Sequence, residues 1–285
     1  MLNALPISIK IVVFLFLFTF LFSVALEESK AELITSLKSG LMAKSLLINF
    51  ILLPLTGIIL ARLFYLSAEI SSGFLTVASA PGGLLSLHFA RVAKGNLRYA
   101  VGLVFLLSIL SVIITPLLIH LIFPGIVVVN LPISSVIGLL SLLILPPLLL
   151  GQMVRYYLRG ITPILQKLAS FSSIALFITL TILTSTPKDL DVEILAWNGI
   201  AAIITFILAA WSISWWLSGA DIESRKVLAI GTSMRNIAIC SAISNMGVLG
   251  SKAEVVIVGF NAISTPMNLV FAIAISRINQ SSKGS

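Results

Sequence analysis

The sequence predicts an all-α membrane protein, a bundle of about nine transmembrane helices, and three observations support this fold class. Hydrophobic residues make up 59% of the 285 residues and charged residues only 10%, too few to cover the surface of a soluble domain of this size. Nine apolar segments reach the roughly 20 residues that a helix needs to cross a bilayer. Lysines and arginines are concentrated in alternate loops, as the positive-inside rule requires of a protein with many spans.

The connections between the apolar segments are too short to form a soluble domain. We therefore expect one transmembrane domain over residues 1–285. The first segment is long for a signal peptide and is followed by Glu27 and Glu28 without a clear cleavage pattern, so we interpret it as a transmembrane helix. The predicted spans cover residues 7–26, 42–65, 70–93, 97–122, 131–154, 165–185, 193–217, 223–247 and 253–276, with ends uncertain by a few residues.

The basic loops define an orientation. Loops and span ends on one predicted side hold most of the cations, whereas the loops on the other side are short or acidic. We expect the basic side to face the cytoplasm, with the N-terminus outside the cell membrane and the C-terminus inside. The residues on the basic side are Lys30, Lys38, Lys44, Arg91, Lys94, Arg98, Arg155, Arg159, Lys167, Arg225, Lys226, Arg277 and Lys283.

The sequence lacks the residues that several classes of protein function require. The net charge of +8 forms no basic stripe with interleaved aromatic residues, so we expect no nucleic-acid partner. One cysteine, Cys240, and two histidines, His88 and His120, are too few for a metal centre built on these ligands. The spans hold no catalytic triad or carboxylate pair, and no glycine-rich phosphate loop precedes a soluble helix. We expect no enzyme activity, no cofactor and no ATP-driven pumping.

The third span is interrupted by Pro81-Gly82-Gly83. Proline removes a backbone donor and clashes with the preceding turn, so the helix should break there. Each half has about ten residues, which rise about 15 Å, so the break should lie near the middle of the bilayer. A half-helix beginning near Leu84 would point its positive N-terminal end at the break.

The eighth span is interrupted at Gly231-Thr232-Ser233 and carries Arg235 near its middle. An arginine at the bilayer centre costs about 2.5–3.5 kcal/mol on insertion scales, so it should have a partner or face a cavity. No span has an acid near its middle that could pair with it. A broken span in each half of the chain is typical of a transporter binding site, although a simple kink or, for the arginine, an ion pair are the structural alternatives.

At these residues the chain resembles the bile acid:sodium symporter family. Residues 80–86, followed by Ala93-Lys94-Gly95-Asn96, are similar to the family's Pro-Gly-Gly-Thr-x-Ser-Asn crossover and the Ala-Arg-Gly-Asp loop behind it. Residues 231–236 are similar, more weakly, to its Glu-x-Gly-Met-Gln-Asn crossover. The resemblance implies panel and core helices, inverted repeats with two crossing discontinuous helices, and alternating access for organic anions, usually driven by sodium. The first helix here matches the family's second.

The chain departs from this pattern at the positions that would hold sodium. Gly231 stands at the family's crossover glutamate, Arg235 at its glutamine, and Leu87 at the asparagine that follows the first-motif serine. On the next helix, two positions that carry hydroxyls in the family are taken by Ala100 and Val104. We therefore hypothesise that the guanidinium replaces bound cations, so that transport is independent of sodium, and that it neutralises a small organic anion.

The resulting prediction divides the candidate residues by role. Asn236, Ser86, Ser264 and Thr265 would join Arg235 in binding substrate, whereas Pro81, Gly82, Gly83, Gly231, Thr232 and Ser233 would form the crossover. His88 is a candidate for proton coupling, with a packing histidine as the alternative. We interpret Trp211, Trp215 and Trp216 as an interfacial aromatic belt.

Two alternatives to sodium-independent transport stay open at this point. The chain could bind sodium through backbone carbonyls alone and remain an ordinary symporter. It could also be a receptor that keeps the fold and binds its ligand without moving it.

Overall fold

A computed structural model of the chain describes residues 7–27, 40–83, 85–122, 133–184, 192–219, 221–244, 249 and 252–278. Within these ranges the backbone is helical apart from turns, short extended segments and one isolated antiparallel bridge between Pro81 and Arg235. This confirms the all-α class. The helices are α1 (Ile7–Glu27), α2 (Gly40–Leu47), α3 (Leu53–Leu63), α4 (Ala68–Ser79), α5 (Ser86–Val92), α6 (Leu97–Ile122), α7 (Ile133–Tyr157), α8 (Thr162–Thr184), α9 (Val192–Leu217, kinked at Ala196), α10 (Ile222–Ser233), α11 (Ile237–Ile243) and α12 (Ala253–Ile275).

Five helical segments in the described part of the chain are long and apolar enough to cross a membrane. They confirm a membrane protein with several spans, while the number nine stays a prediction. The five segments are Gly40–Leu63, Leu97–Ile122, Ile133–Tyr157, Leu195–Leu217 and Ala253–Ile275.

The helices form two groups. In the first group, which we call the panel, α1 packs against both α7 and α8. In the second, which we call the core, α4 packs against α3 and α12, and α9 packs against α10 and α12. Buried aromatic rings join the core helices: Phe206 of α9 makes edge-to-face contacts with Phe74 of α4 at 5.7 Å and with Phe260 of α12 at 5.9 Å between ring centroids.

A π-helical turn, Ile48–Leu52, joins α2 to α3 in one continuous span. The cause is local, because Pro54 in the first turn of α3 has no N–H to donate to a carbonyl of the preceding turn. The wider turn places Asn49 in the buried interior of the core, where it is fully shielded from solvent.

The third span breaks where the proline predicts. Helix α4 ends at Ser79, and α5 begins at Ser86 with only seven residues, a shorter inner half than the ten residues expected. Gly82 has a φ of +91°, which only glycine adopts readily, so the turn out of the break depends on this residue.

The second break lies later than predicted, and the role of Gly231, Thr232 and Ser233 in the crossover stays a prediction. Helix α10 continues through Ser233, and the non-helical segment is Met234–Asn236. The hydroxyl of Thr232 explains the shift, because it donates to the carbonyl of Leu228 at 2.8 Å within α10 and so supports the intact helix. Gly231, Thr232 and Ser233 therefore belong to the last turn of α10.

Candidate functional site

The two broken spans meet as a short antiparallel pair of extended segments, residues 80–83 and 234–236. The N–H of Asn236 donates to the carbonyl of Ala80 at 2.8 Å, and the N–H of Gly83 donates to that of Met234 at 3.2 Å. A membrane interior offers no water to these backbone groups, so each span satisfies the break in the other. The structure thus brings Pro81, Gly82 and Gly83 together with Arg235 and Asn236.

Helix α6 completes the hydrogen bonding of the first break. The hydroxyl of Ser111 donates to the carbonyl of Pro81 at 3.1 Å, and that of Thr115 donates to the carbonyl of Ser79 at 3.0 Å. Both hydroxyls are fully buried and lie four residues apart, on one face of the helix. Hydroxyls were expected near the start of this helix, at the positions of Ala100 and Val104, and neither Ser111 nor Thr115 was predicted.

Arg235 lies at the crossing and is only 3% exposed. Its Nε donates to the carbonyl of Val77 at 3.1 Å, and its Nη2 donates to the carbonyl of Ala78. Its Nη1 donates to the carbonyl of Thr232 at 3.1 Å and to Oδ1 of Asn49 at 3.0 Å. Four of the five N–H groups of a guanidinium are therefore bound to oxygen atoms of the protein.

The position of this cation differs from the one expected. The carbonyls of Val77, Ala78 and Thr232 belong to the last turns of α4 and α10, whereas a positive N-terminal helix end was expected to face the break. The physical reason is that the last carbonyls of a helix carry the negative end of its dipole and lack the usual helical donor, although that of Val77 also accepts from the N–H of Ala80. The guanidinium satisfies the carbonyls and opposes both dipoles, and its Cζ lies 5.9 Å from the ring centroid of Phe206.

Asn236 and Ser86 also lie at the crossing, where protein atoms use their polar groups. Oδ1 of Asn236 caps α11 by accepting from the N–H of Ile239 at 3.2 Å. The hydroxyl of Ser86 donates to the carbonyl of Gly83 at 2.6 Å. Asn236 borders a cavity of only about 10 Å³ between the panel and α11, so the crossing is closed to a substrate on this side.

Ser264 and Thr265 on α12 are not hydrogen-bond partners of Arg235. The hydroxyl of Thr265 donates to Oδ1 of Asn261 in its own helix at 3.2 Å. Ser264 is linked to the second break indirectly, since its carbonyl accepts from Nδ2 of Asn268 at 2.9 Å and Oδ1 of Asn268 accepts from the hydroxyl of Ser233.

Trp211 also belongs to this network, and its place in an interfacial belt stays a prediction. Its Nε1 donates to Oγ of Ser233 and to Oδ1 of Asn268, each at 3.0 Å, and its ring stacks on Phe271. A tryptophan near a helix end gives no sequence signal that separates these two roles.

His88 lies on α5, away from the hydrogen bonds of the crossing. Its Nδ1 is 3.3 Å from Nη1 of Arg91, and its ring meets Phe20 of α1 edge to face at 6.2 Å. The residue therefore joins the core to the panel, and its role in proton coupling stays a prediction.

Asn49 is the site residue whose removal should report on Arg235 most directly. We expect Asn49→Leu to lower stability by about 1–3 kcal/mol, because Nη1 of Arg235 then loses a buried acceptor. Asn49→Asp keeps the acceptor and serves as the matched control. Thermal unfolding in detergent should show the leucine variant melting well below the aspartate variant, and equal melting temperatures would contradict this role for Asn49.

Comparison with known proteins adds an independent observation. The family model described as Sodium Bile acid symporter family matches residues 10–194. The probable chloroplastic sodium/metabolite cotransporter BASS3 is 24% identical over 71% of the chain in Oryza sativa subsp. japonica and 25% identical over 72% in Arabidopsis thaliana. The uncharacterized sodium-dependent transporter YocS of Bacillus subtilis is 26% identical over 69% of the chain and is itself covered over 61%. The chain spans about half the length of the two plant relatives, 47% and 48%.

Proposed function

Because the chain belongs to the sodium bile acid symporter family, we propose that it is a secondary transporter that moves a small organic anion without sodium. The observation that carries the proposal is the buried guanidinium of Arg235, held by oxygen atoms at the crossing of the two broken spans. Three carbonyls and one amide oxygen are the kind of hard ligands that bind a metal cation. Here a permanent cation on the protein occupies that position.

The loss of sodium ligands supports the same conclusion. Gly231 has no side-chain oxygen where the family carries a carboxylate, and α10 is helical at this residue. With the carboxylate gone and a guanidinium present, the crossing retains a positive charge that would otherwise require bound ions. Such a charge favours an anion over a cation as the transported molecule.

We propose that alternating access arises from movement of the core (α2–α6 and α9–α12) against the panel (α1, α7 and α8). Arg235 would attract the anion electrostatically and expose a donor to it when the cleft between panel and core widens. Asn236, which borders that boundary, would contact it directly, and Ser86, Ser264 and Thr265 would contribute hydroxyls. The cell membrane, with the basic side toward the cytoplasm, is the proposed location.

Uptake into proteoliposomes tests sodium independence. With labelled taurocholate and pyruvate as probes of two anion classes, we expect any uptake by the purified protein to stay within about twofold when choline replaces sodium, since no coupling site is emptied. Protein-free liposomes are the control. Collapse of uptake in choline would establish sodium symport through backbone oxygens, and saturable binding without flux would establish a receptor instead.

A further inference from the structure

A cleft of about 550 Å³ lies at the basic end of the bundle, where the ends of α1, α5 and α7 meet the start of α8. None of the residues that line it belongs to the two crossing segments or bonds to Arg235. It is therefore a separate feature from the proposed transport site. Its charged and polar lining residues are Glu27, Arg91, Arg155, Thr162, Gln166, Lys167 and Ser170.

Among the described residues that line the cleft, three cations face one carboxylate, so two positive charges remain after Glu27 is balanced. Arg91 of the core forms an ion pair with Glu27 of the panel, and their side chains are 31% and 17% exposed. Arg155 donates to the carbonyl of Leu26, which fixes its guanidinium beside the same glutamate. The two arginines are thus held by contacts on the wall of the cleft, whereas Lys167 is exposed at its edge.

The start of α8 adds a second source of positive potential. Thr162, Pro163 and Gln166 of its first turns line the cleft, and the helix has 23 residues. Pro163 has no N–H, and the N–H groups of Ile164 and Leu165 donate to the carbonyl of Ile161, so this helix end acts on an anion through its dipole and not through free donors. The dipole of α8 and the three cations therefore act on the same volume.

We propose that this cleft binds a phosphate group through Arg91, Arg155 and Lys167. A phosphate monoester carries about −1.5 to −2 charges at pH 7, which matches the two uncompensated positive charges better than a single carboxylate does. Arginine forks bind phosphate oxygens in pairs. Basic pockets between transmembrane helices on the cytoplasmic side are suited to the head groups of phospholipids, and the same chemistry suits a phosphate dissolved in the cytosol.

Binding would have a consequence for movement, because the ligand competes with Glu27 for Arg91. The ion pair joins α1 of the panel to α5 of the core. A phosphate group on Arg91 and Arg155 would replace that direct link with one through the ligand. The cleft is in this sense a regulatory site at the panel–core boundary.

Equilibrium binding of labelled inorganic phosphate to the purified, delipidated protein tests the proposal. We expect Arg91→Gln and Arg155→Gln each to weaken binding about tenfold or more, since each removes charge-assisted hydrogen bonds. Arg159→Gln is the matched control: Arg159 is exposed, lies one turn beyond Arg155 and does not line the cleft. Equal affinity for all three variants would overturn the proposal.

Glu27→Gln provides a second test that does not depend on the folding of the arginine variants. The substitution removes the competing charge and keeps a side chain of the same size, so we expect phosphate to bind several-fold more tightly. Weaker or unchanged binding would contradict competition for Arg91. An arginine variant that does not fold leaves this opposite-signed prediction intact.

The source of the phosphate is distinguished in nanodiscs. Nanodiscs of phosphatidylcholine alone are compared with nanodiscs that also contain phosphatidic acid. If a lipid supplies the group, phosphatidic acid raises the melting temperature of the wild type but not of Arg91→Gln, and it displaces inorganic phosphate. If the ligand is soluble, inorganic phosphate binds equally in both. Absence of binding in detergent and in both nanodiscs would sink the proposal.

Discussion

We expect Arg235→Met to abolish uptake and to lower stability by about 1–3 kcal/mol, the cost typical of leaving buried polar groups without a hydrogen-bond partner. Methionine fills a similar space but donates nothing. The carbonyls of Ala78 and Thr232 and the amide oxygen of Asn49 would lose the donors that the guanidinium supplies in the interior of the core, whereas the carbonyl of Val77 would keep the N–H of Ala80. The last turns of α4 and α10 would also lose the cation that opposes their dipoles.

The measurement is thermal unfolding in detergent together with proteoliposome uptake. Arg62→Met is the matched control, because Arg62 is exposed in the last turn of α3 and should tolerate the change. Arg235→Lys should fall between them, since one ammonium cannot reach four oxygens arranged around a planar fork. A methionine variant as stable as Arg62→Met would show that the guanidinium does not hold the crossing together.

A substitution of Arg235 by a smaller side chain tests whether the guanidinium replaces a metal cation. Arg235→Ala leaves a space bordered by four oxygen acceptors, which sodium could enter. We expect its melting temperature to rise when sodium replaces choline, whereas that of the wild type stays constant. If neither protein responds to sodium, the oxygen atoms of the crossing form a site for the guanidinium alone.

The residues at the crossing could be predicted from the sequence more completely than the contacts that they make. Proline lacks a donor wherever it occurs, so Pro81 marked its break directly, and the penalty for a charge in the bilayer made Arg235 conspicuous. Neither property states where a long side chain points. Arg235 turns to the C-terminal ends of α4 and α10 because carbonyls at the negative end of each helix dipole are found there.

Polar residues with small side chains were harder to interpret. Thr76 donates to the carbonyl of Ser72 in its own helix at 2.7 Å, whereas Thr115 donates across to Ser79. Both are fully buried hydroxyls in apolar helices, and nothing local separates them. The same ambiguity placed the second break too early, because hydroxyls that can satisfy a broken backbone can equally bond back within an intact helix.

Gly83→Ala adds one methyl group at the crossing, and we expect it to be strongly destabilising. It tests how closely the two extended segments approach without altering any charge. A Cβ on Gly83 would lie 2.6 Å from the carbonyl carbon of Met234 and 2.7 Å from its oxygen. These are backbone atoms, so no side chain can rotate away and the two extended segments must separate. Overpacking typically costs about 1–3 kcal/mol, and we expect the upper end of this range and loss of uptake.

Gly138→Ala is the matched control, because a Cβ at Gly138 of α7 would meet nothing within 4 Å. Removing a glycine from a helix interior should raise stability slightly, by about 0.5–1 kcal/mol. The two substitutions add the same atom, so the difference between their melting temperatures measures how closely the broken spans approach. Matching melting temperatures and matching uptake would mean that residues 83 and 234 are not in contact, and the cation site that depends on their pairing would lose its geometric basis.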